Sequence, residues 1–233
     1  MSLFAENIKK ETEGLDPIES LALLSDIFHD KIVFSTSFGW EDQVITHMIF
    51  TNDLPIKVFT LETGRLFPET YYVWNRTMEM YCKPIHAYYP NNELLEQMVN
   101  AKGPSSFYES VENRKECCGI RNVEPLNRAL AGNKCWVTGI RAEQSTDRQS
   151  MGNLEWDEQH NLIKFHPIFD WALDRVKEYI RVHNVPYNTL HDRGFPSIGC
   201  QPCTRPVQSG EDERAGRWSG SAKTECGLHT GQD

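Results

Sequence analysis

The chain has 233 residues, 39% of them hydrophobic and 24% charged, which is enough to bury a proper core and is ordinary for a globular protein. No apolar run approaches the roughly 18–20 residues of a membrane span, and the opening MSLFAENIKKETEG has no apolar signal segment, so a cytoplasmic protein with no membrane partner is expected. A net charge of −9, from 24 Lys+Arg against 33 Asp+Glu, argues against a nucleic-acid partner, which calls for a basic surplus.

Leu15, Ile18, Leu21, Leu23, Leu24 and Ile27 recur at near-helical spacing and predict a helical stretch to about Asp30, with Asp16 and Pro17 as cap and first turn. Lys31 to Thr36 (KIVFST) reads as a buried strand. It runs into Ser37-Phe38-Gly39, after which Val44, Ile45, Met48 and Ile49 resume helical spacing. Ile56 to Leu61 predicts a second strand, Glu69 to Tyr81 a helix, Lys83 to Tyr88 a third strand, Cys135 to Thr138 a fourth, and Asp170 to His183 a helix. Strands alternating with helices predict an α/β protein with a mostly parallel twisted sheet. Residues 1–195 form the expected nucleotide-binding α/β domain. Residues 196–233, rich in Pro, Gly, Cys and Arg, are expected to be an irregular segment and mobile tail.

Ligands of such sheets collect beyond the carboxyl ends of the strands. The segments Ser35–Asp42, Thr60–Arg65 and Thr138–Arg148 all follow predicted strands and point to one site. Candidates within them are Ser37, Gly39, Leu61, Thr63, Gly64, Arg141 and Arg148. At Ser37–Asp42, backbone N–H groups and the helix dipole can hold a phosphate, and Gly39 permits close approach. A plain strand-to-helix turn accounts for the same residues equally well.

Seven cysteines without a secretion signal favour metal or redox chemistry over a disulfide framework. Cys117-Cys118 and Cys200-x-x-Cys203 can supply four thiolates to zinc or to a 4Fe–4S cluster, and the tandem pair favours the larger centre. Cys82 and Cys135 sit in apolar surroundings and are expected to be buried structural thiols. Cys226, in AKTECGLHT, has Lys223 and His229 nearby to stabilise a thiolate, and is a candidate nucleophile or an idle tail thiol. Arg214 and Arg217 lie just upstream, and with Arg141 and Arg148 they suit sulfate or phosphate oxygens.

The stretches STSFG (35–39), LETGRLFPET (61–70), ECCGIRNVEPL (116–126), WVTGIRAEQ (136–144), PYNTLHDRGFPSIGCQPCT (186–204) and RWSGSAKTECGLH (217–229) resemble the sulfonucleotide reductases, in the same order. The resemblance implies an adenine-nucleotide α-hydrolase-like, PP-loop type fold. The four cysteines match the branch that reduces adenylyl sulfate, implying that Cys117, Cys118, Cys200 and Cys203 hold a 4Fe–4S cluster. It further implies that Cys226 attacks the sulfur of adenylyl sulfate, expels AMP and becomes S-sulfocysteine, from which thioredoxin or glutaredoxin releases sulfite in assimilatory sulfate reduction. A homo-oligomer is expected.

Two residues depart from the family pattern. Asn122 stands where the family has a lysine, removing a positive charge, and Phe38 stands where a PP-loop prefers glycine. The rivals are a phosphoadenylyl-sulfate reductase, a zinc-bearing PP-loop ATP-pyrophosphatase of the tRNA-thiolation type, and a non-catalytic nucleotide- or metal-binding module.

Overall fold

The apolar runs of the sequence assemble into one sheet, seen in a computed structural model that describes residues 3–218. In chain order the elements are α1 (Leu3–Thr12), α2 (Pro17–Phe28), β1 (Ile32–Ser35), α3 (Trp40–Thr51), β2 (Lys57–Leu61), α4 (Pro68–Tyr81), β3 (His86–Tyr88) and α5 (Asn92–Lys102). They continue with α6 (Val111–Cys118), a π-helical turn (Gly119–Val123), α7 (Glu124–Leu130), β4 (Cys135–Val137), α8 (Thr146–Gln149), β5 (Leu154–Asp157), β6 (Leu162–Phe165) and α9 (Leu173–His183). The strand order is β3-β2-β1-β4-β6-β5. Every pairing is parallel except β5 with β6. The mostly parallel α/β architecture is thus as expected.

Successive strand residues point to opposite faces, and two apolar clusters divide accordingly. Phe34, Val58, Val137 and Ile163 pack with Leu21, Ile45 and Ile49 of α2 and α3 and with Val176 and Ile180 of α9. On the other face Val33, Phe59, Trp136 and Leu162 pack with Leu126 and Leu130 of α7. Both faces are covered, so the central strands read as unbroken apolar runs.

Three local features differ from expectation. The single helical stretch to Asp30 is two helices. Gly14 takes φ +80°, and Asp16 restarts the chain with a capping box, its carboxylate accepting from Ile18 and Glu19 N–H while Glu19 accepts from Asp16 N–H. The β5–β6 hairpin and α5 were not anticipated. β5 (LEWD) and β6 (LIKF) are short and interrupted by charged residues, and α5 exposes most of its surface. Cys82, expected to be buried, is exposed at the left-handed C-cap of α4, with φ 51°. Cys135 is fully buried in β4, and burial drives its thiol pKa well up. Among the described residues no helix is long and apolar enough to cross a membrane.

Candidate active site

β1 is flanked by β2 on one side and by β4 on the other, so the sheet changes winding direction between β1 and β4. Ligand crevices form at such switch points, beyond the carboxyl ends of the strands. A cavity opens there, walled by Ser35–Gly39 after β1, Thr60, Leu61 and Thr63 at the end of β2, and Thr138–Ile140 after β4. The segment around 196–218 closes it with Cys200, Cys203, Arg214, Arg217 and Trp218. Trp136 Nε1 donates to Ser35 Oγ at 2.8 Å and ties the two switch strands together at the cavity.

The loop after β1 is built around Asp42. Its Oδ2 accepts from Ser37 N–H at 2.5 Å and from Ser37 Oγ–H at 2.7 Å. Gly139 lets this carboxylate lie against the β4 loop, because a Cβ there would collide with Asp42 Oδ1. Burial pushes the Asp42 carboxyl up to about 6, against the pull of the Ser37 hydrogen bonds. Ser37 and Gly39 both line the cavity, but Ser37 spends its donors on Asp42 and Phe38 N–H donates to Thr36 Oγ1 at 3.0 Å. The expected phosphate cradle is therefore narrowed to the amino end of α3, where Gly39 is the N-cap. Phe38 adopts φ +62°, the region glycine favours. Its ring is buried and stacked on Trp74 at 5.4 Å, and core packing holds the strained backbone in place.

The four cationic candidates separate. Arg148, Arg214 and Arg217 line the cavity. Arg148 is buried and its Nη1 donates to Gln144 Oε1. Arg217 donates to Ser197 Oγ and to the Ile198 carbonyl, both at 3.2 Å, and packs so tightly on Gly199 that a Cβ there would clash. The Trp218 ring carries the Arg217 guanidinium 4.5 Å from its centroid and that of Arg214 at 5.7 Å. Arg141 does not join them on the wall. Its side chain is 0% exposed and donates to Glu41 at 2.7 Å, to Glu143 and Glu213 at 3.3 Å, and to the Trp171 carbonyl at 3.2 Å. Glu41 and Glu213 do line the cavity. Arg141 thus offsets two carboxylates beside an anion site, a role distinct from the direct contact expected. Burial holds the Glu213 carboxyl above its usual range, and Arg141 pulls it the other way.

The cysteines meet around the loop after β2. Cys117 and Cys118 end α6 and enter the π-helical turn, a distortion that frequently marks functional sites. Arg121, within that turn and buried, donates from Nη1 to the Thr63 carbonyl at 2.6 Å. Thr63 Oγ1 accepts from Cys200 Sγ at 3.4 Å, and Gln201 N–H donates to the Arg65 carbonyl at 2.7 Å. One loop therefore binds both cysteine segments, and Cys118, Cys200 and Cys203 face the cavity of the arginines. Gly64 is not on the cavity wall. Its φ of +68° and missing Cβ admit Arg121 Nη1, which would lie 3.1 Å from a Cβ. Burial raises the Cys117 thiol pKa, with Arg121 and Arg65 opposing. Among the described residues no three His, Cys, Asp or Glu side chains converge on a position for a single metal ion.

Cys226, His229 and Lys223 lie outside the described residues. Glu41, Asp42, Trp136 and Glu213 were given no site role from the sequence, although Glu41 and Asp42 stand inside the loop that was singled out.

Residues 31–206 match the family described as "Phosphoadenosine phosphosulfate reductase domain". A protein of Sinorhizobium fredii named adenosine 5'-phosphosulfate reductase is 45% identical over 230 residues, 98% of this chain and 91% of its own length. A protein of the same name from Burkholderia cepacia is 47% identical over 212 residues, covering 89% and 85%. Among solved structures, the phosphoadenylyl-sulfate reductase of Candida auris in a phosphate complex superposes with a TM-score of 0.74 at 28% identity, over 89% of this chain and 98% of that one. An FMN adenylyltransferase of Candida glabrata, 15% identical with a TM-score of 0.55 over 85% and 67%, shares the fold alone.

Proposed function

The chain belongs to the phosphoadenosine phosphosulfate reductase domain family, and we propose from that premise that it reduces adenylyl sulfate to sulfite and AMP. The observation that carries this is the meeting of Arg148, Arg214 and Arg217 with Cys118, Cys200 and Cys203 on one cavity at the sheet's switch point. The relatives named for the non-phosphorylated nucleotide share 45–47% of this sequence, against 28% for the phosphoadenylyl-sulfate enzyme, which favours adenylyl sulfate.

In the proposed reaction the Cys226 thiolate attacks the sulfur of adenylyl sulfate. A sulfur–sulfur bond forms, the bond from sulfur to the bridging oxygen breaks, and AMP departs with the electron pair. A dithiol reductant of the thioredoxin type then attacks Cys226 Sγ and expels sulfite. Its second thiol resolves the mixed disulfide, which supplies two electrons and regenerates Cys226. The obstacle is electrostatic. A thiolate about 4 Å from a sulfate charge costs about 4 kcal/mol at an effective dielectric of 20. Arg148, Arg214 and Arg217 offset that charge. Arg141 keeps Glu41 and Glu213 from adding to it. AMP is a good leaving group, so positioning and charge neutralisation are the protein's main tasks.

Cys117, Cys118, Cys200 and Cys203 would hold a 4Fe–4S cluster. The donor set fits in its chemistry: four thiols come from two segments that both bond to the loop at Thr63, and thiolates are the ligands such a cluster takes. When bound, such a cluster would supply fixed charge and a structural clamp between the two cysteine segments. Arg121 orients the loop on which both segments rest.

The test is anaerobic turnover with adenylyl sulfate and thioredoxin, with sulfite measured and the enzyme analysed by intact mass spectrometry without reductant. A sulfite adduct is expected on the wild type and none on Cys226→Ser. An adduct surviving in the variant, or faster turnover of the 3'-phosphorylated nucleotide, overturns the reading.

A further inference from the structure

A polar relay with no part in the chemistry above lies at the carboxyl ends of β4 and β6. Thr138 extends β4 by one residue, its N–H donating to the Phe165 carbonyl at 3.0 Å, and it lines the cavity. His166 extends β6 in the same way. Its N–H donates to the Asn153 carbonyl at 2.7 Å and its side chain is 0% exposed. The imidazole Nδ1 lies 2.7 Å from Thr138 Oγ1. Nε2 faces Glu155 Oε2 from the edge strand β5 at 3.6 Å, an electrostatic contact just beyond hydrogen-bond reach, and has no hydrogen-bond partner among the described residues.

Burial pushes the His166 pKa down to about 4, with Lys164 and Arg148 acting in the same direction and Glu155 against it. At neutral pH the ring carries one proton. A carboxylate can only accept, so that proton belongs on Nε2, toward Glu155, and Nδ1 is left as an acceptor. This tautomer is assigned from the network. The Thr138 hydroxyl must then give its proton to Nδ1. Its oxygen also receives Ile140 N–H at 3.4 Å. What remains of that oxygen for the cavity is a lone pair.

We propose that His166, backed by Glu155, is a positioning residue that fixes Thr138 as a hydrogen-bond acceptor, so that Thr138 recognises a donor of the nucleoside, either the adenine amino group or a ribose hydroxyl. An acceptor held in this polarity has nothing to offer a phosphate or sulfate oxygen. It therefore favours one orientation of the nucleotide, with the nucleoside at β4 and the charged end toward the arginines. The inference rests on the nucleotide reading above. It adds which atom is recognised and which buried residue sets that recognition.

Calorimetric binding of AMP to the full chain tests this without turnover. Thr138→Val and His166→Phe are each expected to weaken AMP binding about 3–10-fold, as one neutral hydrogen bond does. The double variant should be no weaker than the worse single one. Thr138→Ser keeps the hydroxyl and His166→Asn keeps an acceptor, and both should bind within about twofold of wild type. In turnover the loss should fall on KM, leaving kcat within about twofold. Inosine monophosphate and the 2'- and 3'-deoxy analogues of AMP locate the donor, because the analogue lacking it binds wild type and Thr138→Val equally. Should His166→Phe lose its melting transition, the Val/Ser pair at Thr138 decides alone. If wild type binds AMP and Thr138→Val binds it as tightly, or if the two losses add, the relay is refuted while the nucleotide reading stands. A wild type that binds no AMP removes both.

Discussion

Single residues carry much of the site's electrostatics, and Asp42 is the clearest case. It lies within the loop after β1, where local sequence does not distinguish it from a solvated acid at a helix start. In the structure it is buried against Ser37 and Gly139, and its carboxyl titrates near 6 in place of its ordinary 3.8. A folded-state pKa raised in this way makes the group harmless to stability below about pH 4 and costly above about pH 6. The full difference is about 3 kcal/mol. Asp42→Asn keeps an acceptor for Ser37 without the charge. In urea unfolding the variant should gain on wild type as pH rises from 4 to 7, with the gap levelling above that. Parallel profiles would show that Asp42 is not the buried acid described. Arg141 shows the same limit on local reading. Its motif suggested an anion contact, whereas its neighbours in space are Glu41, Glu143 and Glu213.

At the scale of elements, caps and turns were legible where their chemistry is local. Asp16 and Pro17 mark the start of α2, and the structure supplies the complete capping box. Asp16→Ala removes acceptors for Ile18 and Glu19 N–H and is expected to cost about 1 kcal/mol. The thermal midpoint should fall by about 2–4 °C, with nucleotide binding unchanged. No fall in the midpoint would mean that α2 is held by its packing on the sheet alone. Six elements with strong apolar spacing appeared close to their expected places: β1, α3, β2, α4, β4 and α9. The hairpin of β5 and β6 did not, because LEWD and LIKF are short and broken by Glu155, Asp157 and Lys164, so neither makes the apolar run that marked β1 and β4. The π-helical turn after Cys118 has no sequence signature of its own. It follows directly on Cys117 and Cys118 and carries Arg121 onto the Thr63 carbonyl.

For the molecule as a whole, the decisive event is convergence. The two cysteine pairs stand 83 residues apart in sequence, from Cys117 to Cys200, and come together because both segments dock on the loop that ends β2. Cys200→Ser and Cys203→Ser are each expected to lower the iron content and the absorbance near 400 nm of anaerobically purified protein, relative to wild type. A colourless wild type containing one zinc would overturn the cluster proposed for these four cysteines. The sequence by itself determined the class of the sheet, because apolar runs and cap chemistry are local, and the family, because the motif stretches that resemble the sulfonucleotide reductases are written in residue identity. It could not decide which arginines face the cavity, that Asp42 occupies the donors of Ser37, or that His166 stands behind Thr138. Those depend on the strand order β3-β2-β1-β4-β6-β5 and on side-chain burial. Both emerge only when distant segments compete for the same core, and burial sets the charge of each group once that core has closed.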